Sequence, residues 1–284
     1  MFLWKRLTPL YDAGEAKAIV RIILEDCFNM TLADALCGGV EALSEVQQKK
    51  LEQLMSRLEQ GEPVQYVTGS TTFYGRTFHV EPGVLIPRPE TEELVRWAVE
   101  VLNGLSKESQ PSILDIGTGS GCIAISIAKE LVNADVEAWD ISNEALRIAT
   151  YNADNLNAKV KFRNQDILSP PKTLSLGREG CPFFTAIISN PPYICWQERT
   201  AMQHNVLDYE PNTALFVPDN DPLLFYHAIA DFAMTSLKTN GWLFFEINPL
   251  YADDISTMLM EKGFHDIEVR TDAYGKKRMI GAQR

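Results

Sequence analysis

The chain has 284 residues, with hydrophobic content of 45%, charged content of 23% and a formal net charge of −12, a balance that suits one large or two modest globular domains with a true core. A sequence pI near 4.9 offers no basic stripe of the kind that tracks a nucleic-acid duplex, so direct nucleic-acid binding is not expected. The five cysteines, Cys27, Cys37, Cys122, Cys181 and Cys195, form no CxxC pair and the four histidines are scattered, so no metal site can be drawn and a reducing cytoplasm fits.

The opening residues, MFLWKRLTPL, place charges inside their only apolar patch, unlike a signal peptide. No stretch reaches the length of a membrane span, so a cytoplasmic location without a membrane partner is expected. In EAKAIVRIILEDCF, apolar residues at Ala16, Ile19, Val20, Ile23 and Leu24 follow helical spacing. TLADALCGG reads as a short helix, and SEVQQKKLEQLMSRLEQ as a longer one, opened by Ser44 and closed by Gly61. The stretch from PVQYVTG to GVLIPRP holds alternating β-formers around Gly75 and predicts a hairpin. A Pro-rich turn at 86–89 then leads into a helix starting near Thr91.

From about residue 112 the pattern alternates. SILDIG, DVEAWDI, KVKFRNQDI, FTAIISN and GWLFFEI read as strands, separated by helical segments, with closing strands DIEVRT and RMIGAQ. The alternation predicts an α/β layer with a mostly parallel sheet. SPPKTLSLGREGCP reads as a surface insertion, and the Met and aromatic residues of 221–236 as core. The expected organisation is a helical domain over 1–70, a hairpin linker over 71–85 and an α/β domain over 86–284.

Four polar residues end the first four strands of that domain: Asp115, Asp140, Asp166 and Asn190, spaced 25, 26 and 24 residues apart. In an open parallel sheet, ligands bind outside the carboxyl ends of the strands, so these residues are expected to face one crevice. Asp and Asn are also common caps and turn formers, and any one of them alone could be only that. Between the first strand and its helix lies DIGTGSGCIAI, with Gly117, Gly119 and Gly121 giving a sharp turn and free N–H groups. A dinucleotide fingerprint would need glycine where Cys122 stands, which argues against a nicotinamide dehydrogenase. The phosphate-binding Lys-Ser/Thr is missing too. The loop suits a nucleoside with an amino-acid tail, and an acid ending the second strand, Asp140, can bind ribose hydroxyls.

These residues resemble the Rossmann-like, class I S-adenosylmethionine-dependent methyltransferases. The resemblance implies a cofactor site for S-adenosylmethionine, with S-adenosylhomocysteine as product. Asp115 and the loop Gly117, Thr118, Gly119, Ser120 and Gly121 would hold the methionine end. Asp140 would hold the ribose, and Asp166 with Ile167 the adenine, beside Asn190. In that family Asn-Pro-Pro-Tyr after the fourth strand, here Asn190, Pro191, Pro192 and Tyr193, marks enzymes that methylate a nitrogen attached to a planar system. Such a nitrogen is a poor nucleophile because its lone pair is delocalised. The Asn190 side-chain oxygen and the Pro191 carbonyl can accept from it, proline fixes the carbonyl direction, and Tyr193 can pack against the target and a nearby cation. A rigid turn is the plain structural alternative.

The whole chain is similar to the release factor glutamine methyltransferases. The likeness runs through GEPVQYVTG (61–69), FYG (73–75), VLIPRPETEELV (84–95), DIGTGSGCIAI (115–125), SNPPYI (189–194), YEPNTAL (209–215) and FFEI (244–247). It implies methylation of the glutamine N5 in the Gly-Gly-Gln motif of class I peptide chain release factors, by a metal-independent monomer whose helical module grips the protein substrate. Arg88, Pro89 and Glu92 would line the entrance to the site. The alternative is a DNA or rRNA amino-methyltransferase, which predicts a basic reading surface. A non-catalytic binding module predicts loss of Asn190 or Asp140. Asn248 and Pro249 after FFEI, FVPDNDPL after YEPNTAL, and Ile167 in place of an aromatic depart from the family pattern.

Overall fold

The computed structural model describes residues 3–104, 110–170 and 184–284. It divides into two compact units. The expected surface insertion and Cys181 lie largely outside the described residues.

The first unit comprises residues 1–70, 80–82 and 202–209. Helix α1 (Ala13–Phe28) starts at Asp12, whose carboxylate accepts from Gly14 N and Glu15 N at 2.7 and 2.9 Å. It stops where Asn29 turns left-handed at φ 51°. All five of its predicted apolar positions are buried. Thr31 and Asp34 cap each other around α2 (Leu32–Asp34), as Ser44 and Gln47 do at the start of α3 (Glu45–Glu59). The short helix expected over TLADALCGG is present: α2 continues as a π-helix over Ala35–Gly39, kinked at Gly38, which sits at φ 91°. PVQYVTG is not part of a hairpin: it forms α4 (Val64–Thr68), which buries Val64, Tyr66 and Val67. Packing of that face overrides the β-propensity of its valines. Residues of α1, α3 and α4 share one core around Ile23, Met55 and Leu58, each 0% exposed. A much later segment, α8 (His204–Tyr209), belongs to this unit, and Tyr209 Oη donates to Gln60 O at 2.9 Å.

The second unit holds the hairpin β1 (Ser70–Phe73) and β2 (Arg76–His79) from residue 71 onward, and the α/β layer. Asn152 clamps the hairpin: its Oδ1 accepts from His79 N, and its Nδ2 donates to His79 O and Ser120 O, all within 2.9 Å. After α5 (Pro89–Gly104) come β3 (Ser112–Ile116), α6 (Cys122–Glu130), β4 (Asp135–Asp140), α7 (Asn143–Asn155), β5 (Val160–Asn164) and β6 (Phe184–Ser189). A small pair, β7 (Ile194–Cys195) and β8 (Phe216–Val217), flanks α9 (Asn212–Leu215). The chain closes with α10 (Leu224–Ser236), β9 (Leu237–Glu246), α11 (Ala252–Glu261), β10 (His265–Thr271) and β11 (Lys277–Gln283).

The seven-stranded sheet runs β10-β11-β9-β6-β3-β4-β5. Five strands are parallel, and β11 is antiparallel to both its neighbours. The mostly parallel α/β class read from the sequence is the class observed. Because β4 and β5 extend to one side of β3 and β6 to the other, the chain order reverses between β3 and β6. That reversal leaves a crevice at the carboxyl ends of the strands. One apolar cluster, including Val95, Ile123 and Ala153, covers one face, and a second, including Tyr226, Ile229 and Ile255, covers the other. No described helix is long and apolar enough to cross a membrane.

Two local differences bear on the site. Helix α5 begins at Pro89, so Thr91 lies inside its first turn, 2% exposed, and does not cap it. Asp115 is the penultimate residue of β3, 1% exposed, whereas Asp140 ends β4 and Asn190 directly follows β6. Asp166 lies two residues past β5.

Candidate active site

The glycine loop alternates in burial. Gly117 is exposed and Gly119 half-buried, while Thr118 and Ser120 are buried at 4% and 2% exposure. The backbone turns this way because Gly117, Gly119 and Gly121 all take positive φ, between 55 and 82°. Gly117 N and Thr118 N both donate to Trp139 O on β4, at 2.9 and 3.0 Å. At Gly121, which opens α6, a Cβ would meet Ile125 Cδ1 at 2.9 Å and Ala149 Cβ at 3.1 Å, so glycine allows the close packing of α6 on α7.

The buried Thr118 hydroxyl donates to Asp115 Oδ2 at 2.6 Å, and Ala124 N donates to the same oxygen at 3.2 Å. Asp115 Oδ1 is buried without a partner among the described residues. Burial pushes the Asp115 carboxyl up to about 7, against the opposing effect of these two bonds. Asp140 accepts from Gly119 N and Ser142 N, both at 2.9 Å. Burial raises it as well, more than those bonds lower it. Asp166 Oδ1 accepts from Leu168 N at 2.8 Å.

A cavity of about 340 Å³ opens at the strand ends. Its lining brings together Gly117, Gly119, Asp140, Asp166, Ile167, Asn190, Pro191 and Pro192. Thus residues that end four different strands or follow them meet at one place. Asp115, Thr118, Ser120 and Gly121 stand behind this surface, and Arg88, Glu92 and Tyr193 are likewise absent from the described lining. The lining also includes Gly83–Leu85, Pro211, Phe216, Phe225 and Ile229. Phe225 therefore corrects the reading of every aromatic in 221–236 as core: Tyr226 and Phe232 are buried there, but Phe225 faces the cavity. The exposed His227 and Asp231 mark the polar face of this helix, but the sequence gives no sign of which apolar residue meets a void.

The Asn190–Tyr193 turn is held from outside itself. Ser189 Oγ donates to Ile116 O at 2.7 Å, joining the ends of β6 and β3. Asn190 Nδ2 donates to Thr91 Oγ1 at 3.2 Å, and Thr91 Oγ1 donates to Glu246 Oε2 at 2.6 Å. The Tyr193 hydroxyl donates to Glu246 Oε1 at 2.9 Å. Asn248 Nδ2 donates to Tyr193 O at 3.1 Å and to Glu198, which in turn accepts from Cys195 N at 2.8 Å. Burial, then the nearby Glu246 charge, raises the Tyr193 phenol well above its ordinary range, so it remains a neutral donor. Glu246 is 1% exposed, and burial raises its carboxyl despite the bonds from Thr91 and Tyr193.

Arg88 pairs with Glu210 at 2.5 Å, and the other Glu210 oxygen accepts from Ile86 N at 3.1 Å. The IPRP and YEPNTAL segments thus lock to each other. Glu92 accepts from Tyr74 N at 2.8 Å, at the hairpin turn where Tyr74 sits at φ 50°. Thr91, Glu198, Glu210, Glu246 and Asn248 were not singled out for these contacts from the sequence. Four of them lie in the conspicuous segments PETEEL, YEPNTAL and FFEINP; Glu198, in WQERT, had no such sign. Among the described residues, no group of three His, Cys, Asp or Glu side chains could hold a metal ion.

A family model described as the methyltransferase small domain matches residues 98–209, and one described as the PrmC N-terminal domain matches residues 6–69. The chain is 44% identical to the release factor glutamine methyltransferase of Bacteroides thetaiotaomicron, over 100% of this chain and 98% of that protein. It is 40% identical to the protein of that name from Flavobacterium psychrophilum, over 96% of this chain and 94% of the relative. Among solved structures, a 16S rRNA methyltransferase of T. thermophilus, in complex with AdoMet and guanosine, shares the fold at a TM-score of 0.53 and 20% identity, covering 76% of this chain and 49% of that one. With identity of this order along its whole length, the chain belongs to the release factor glutamine methyltransferase family.

Proposed function

We propose that this chain binds S-adenosylmethionine and transfers its methyl group to the side-chain amide nitrogen, N5, of the glutamine in the Gly-Gly-Gln motif of class I peptide chain release factors. S-adenosylhomocysteine is the product. The observation that carries this reading is the meeting of the glycine loop, Asp140, Asp166 and the Asn190–Pro192 turn on one cavity of about 340 Å³. Relatives of that name along the full chain support the choice of substrate.

The residues present fit the cofactor. The buried, unpartnered Asp115 Oδ1 suits a cationic amino group, and open Gly117 and Gly119 allow close backbone approach. Each Asp140 oxygen already accepts one backbone N–H and keeps a lone pair for a ribose hydroxyl. Asp166 and the side chain of Ile167 suit the adenine amino group and ring face. The cofactor supplies a methyl group activated on a sulfonium. The chain's own task is to hold the amide nitrogen in line with that methyl group, and such positioning supplies much of the rate. Asn190 and the Pro191 carbonyl accept from the target NH₂, orienting it and raising its electron density. Transfer would leave the cofactor a neutral thioether, and the proton that the nitrogen loses would pass to solvent, because the Asn190 oxygen and the Pro191 carbonyl accept hydrogen bonds but are not bases. We assign Arg88, Pro89 and Glu92 to the substrate entrance, residues 1–70 to recognition of the protein substrate, and the whole to a cytoplasmic monomer.

Transfer of labelled methyl from S-adenosylmethionine tests the reading, with three substrates side by side. These are an unmodified release factor, the same factor with its Gly-Gly-Gln glutamine changed to alanine, and duplex DNA. Label on the first alone is expected. Label on DNA, or on the alanine-bearing factor, would overturn the substrate assignment.

A further inference from the structure

Glu246 carries a buried carboxylate that the proposed chemistry does not itself need. Each of its oxygens takes one side-chain donor, the Thr91 hydroxyl at 2.6 Å and the Tyr193 hydroxyl at 2.9 Å. Both hydroxyls donate to Glu246, which is the acceptor in this arrangement. The hydrogen of Thr91 is therefore committed to Glu246, and Thr91 has only a lone pair left to offer. That lone pair meets the Asn190 amide at 3.2 Å, so it takes an N–H and not the carbonyl oxygen. Turning the amide over would lose this bond and set two acceptors face to face. These partners lie 99 and 155 residues from Thr91 along the chain, so no local turn preference produces the arrangement.

We propose that Glu246 and Thr91 are positioning residues that fix the Asn190 amide with its oxygen left as the acceptor for the target nitrogen. Through Tyr193 the same carboxylate holds the far end of the turn. The inference rests on the reading that Asn190 accepts from the target NH₂. A reversed Asn190 would present its own NH₂ to the NH₂ it is meant to receive. Among the described residues, Arg278, Glu90, Tyr226 and Cys122 also act electrostatically with Glu246 or are acted on by it. None of them takes the place of Thr91 between Glu246 and Asn190.

The test uses the full chain, labelled S-adenosylmethionine and an unmodified release factor, with cofactor affinity measured by calorimetry. Thr91→Ser keeps the hydroxyl and is expected to stay within a few-fold of the parent kcat. Thr91→Val keeps the shape and removes the relay. Glu246→Gln keeps the shape but has one acceptor oxygen for two donors, so either Thr91 or Tyr193 loses its acceptor. Each is expected to lower kcat roughly 10- to 100-fold, the scale of one misdirected hydrogen bond, with cofactor Kd nearly unchanged. The double variant should lose no more than the worse single one, because both act through one bond chain. Parent-like kcat in Thr91→Val, beside an inactive Asn190→Ala, would overturn the positioning role and leave the Asn190 reading standing. Parent-like kcat in Asn190→Ala would overturn both. A Thr91→Ser variant as slow as Thr91→Val would reduce Thr91 to packing. Should Thr91→Val fail to fold, the Glu246→Gln comparison decides by the same criteria.

Discussion

The two halves of the site are built by different means. The cofactor half is local: Asp115 is bonded by Thr118 and Ala124, and Asp140 by Gly119 and Ser142, mostly within one strand–loop–helix unit or its neighbour. The transfer half is assembled at long range. Asn190 and Tyr193 are held by Thr91, Glu246 and Asn248, at separations of 53 to 99 residues from the turn. A loop that binds by backbone N–H groups needs little beyond glycines at the right φ. A turn that must orient one amide oxygen needs partners with a definite donor or acceptor character, and these come from wherever the fold delivers them.

Variants can break this contrast, beginning with the largest expected effect. Asn190→Ala should lower kcat roughly 100- to 1,000-fold, the scale of removing one transition-state hydrogen-bonding group. Cofactor affinity should stay nearly unchanged by calorimetry; equal loss of both would erase the division into halves. Asp140→Ala should do the reverse, weakening cofactor binding by roughly 10- to 100-fold, with turnover of the saturated enzyme much less affected.

The buried Asp115 gives the cofactor half a pH signature. Its folded-state value, about 7, lies above the ordinary carboxylate range. Its contribution to stability is therefore fully present below about pH 4 and is lost as pH rises through about 7. Urea unfolding of the cofactor-free protein should show Asp115→Asn gaining on the parent between pH 5 and 8. A constant difference over that range would mean that Asp115 is not protonated in the fold.

Gly121→Ala should cost about 1–3 kcal/mol of unfolding free energy, since φ 82° and the 2.9 Å approach to Ile125 are both hostile to a Cβ. The smallest effect expected is at Asn248. Replacing it with Ala frees the Tyr193 carbonyl and Glu198, and should slow turnover a few-fold while leaving cofactor affinity alone. A loss of affinity there would instead tie this anchor to the cofactor half.

Much of the cofactor half was legible beforehand because its determinants are local and periodic. Asp140 at the end of one strand and glycines between strand and helix announce themselves by spacing. The deep placement of Asp115 was less legible, since strand ends read from sequence shift by a residue or two. The hydrophobic pattern of PVQYVTG pointed to a strand, yet burial of Val64, Tyr66 and Val67 made it a helix. Thr91 marked only the start of a helix, and Glu246 the end of an apolar strand. Their shared role depends on β9 lying beside β6 with α5 packed on β9, and pairing order is not written in any local stretch.

The sequence by itself determined the alternating α/β unit, the helical module with its caps, the glycine loop and the Asn-Pro-Pro-Tyr turn. Each of these follows from side-chain period, backbone freedom or ring constraint within a few residues. Only the tertiary structure decided which polar groups meet at the crevice, that Phe225 faces the cavity, and that Glu246 and Thr91 join Asn190. Hydrogen-bond character is set by the partner, and partners remote in the chain are chosen by the order of strands in the sheet.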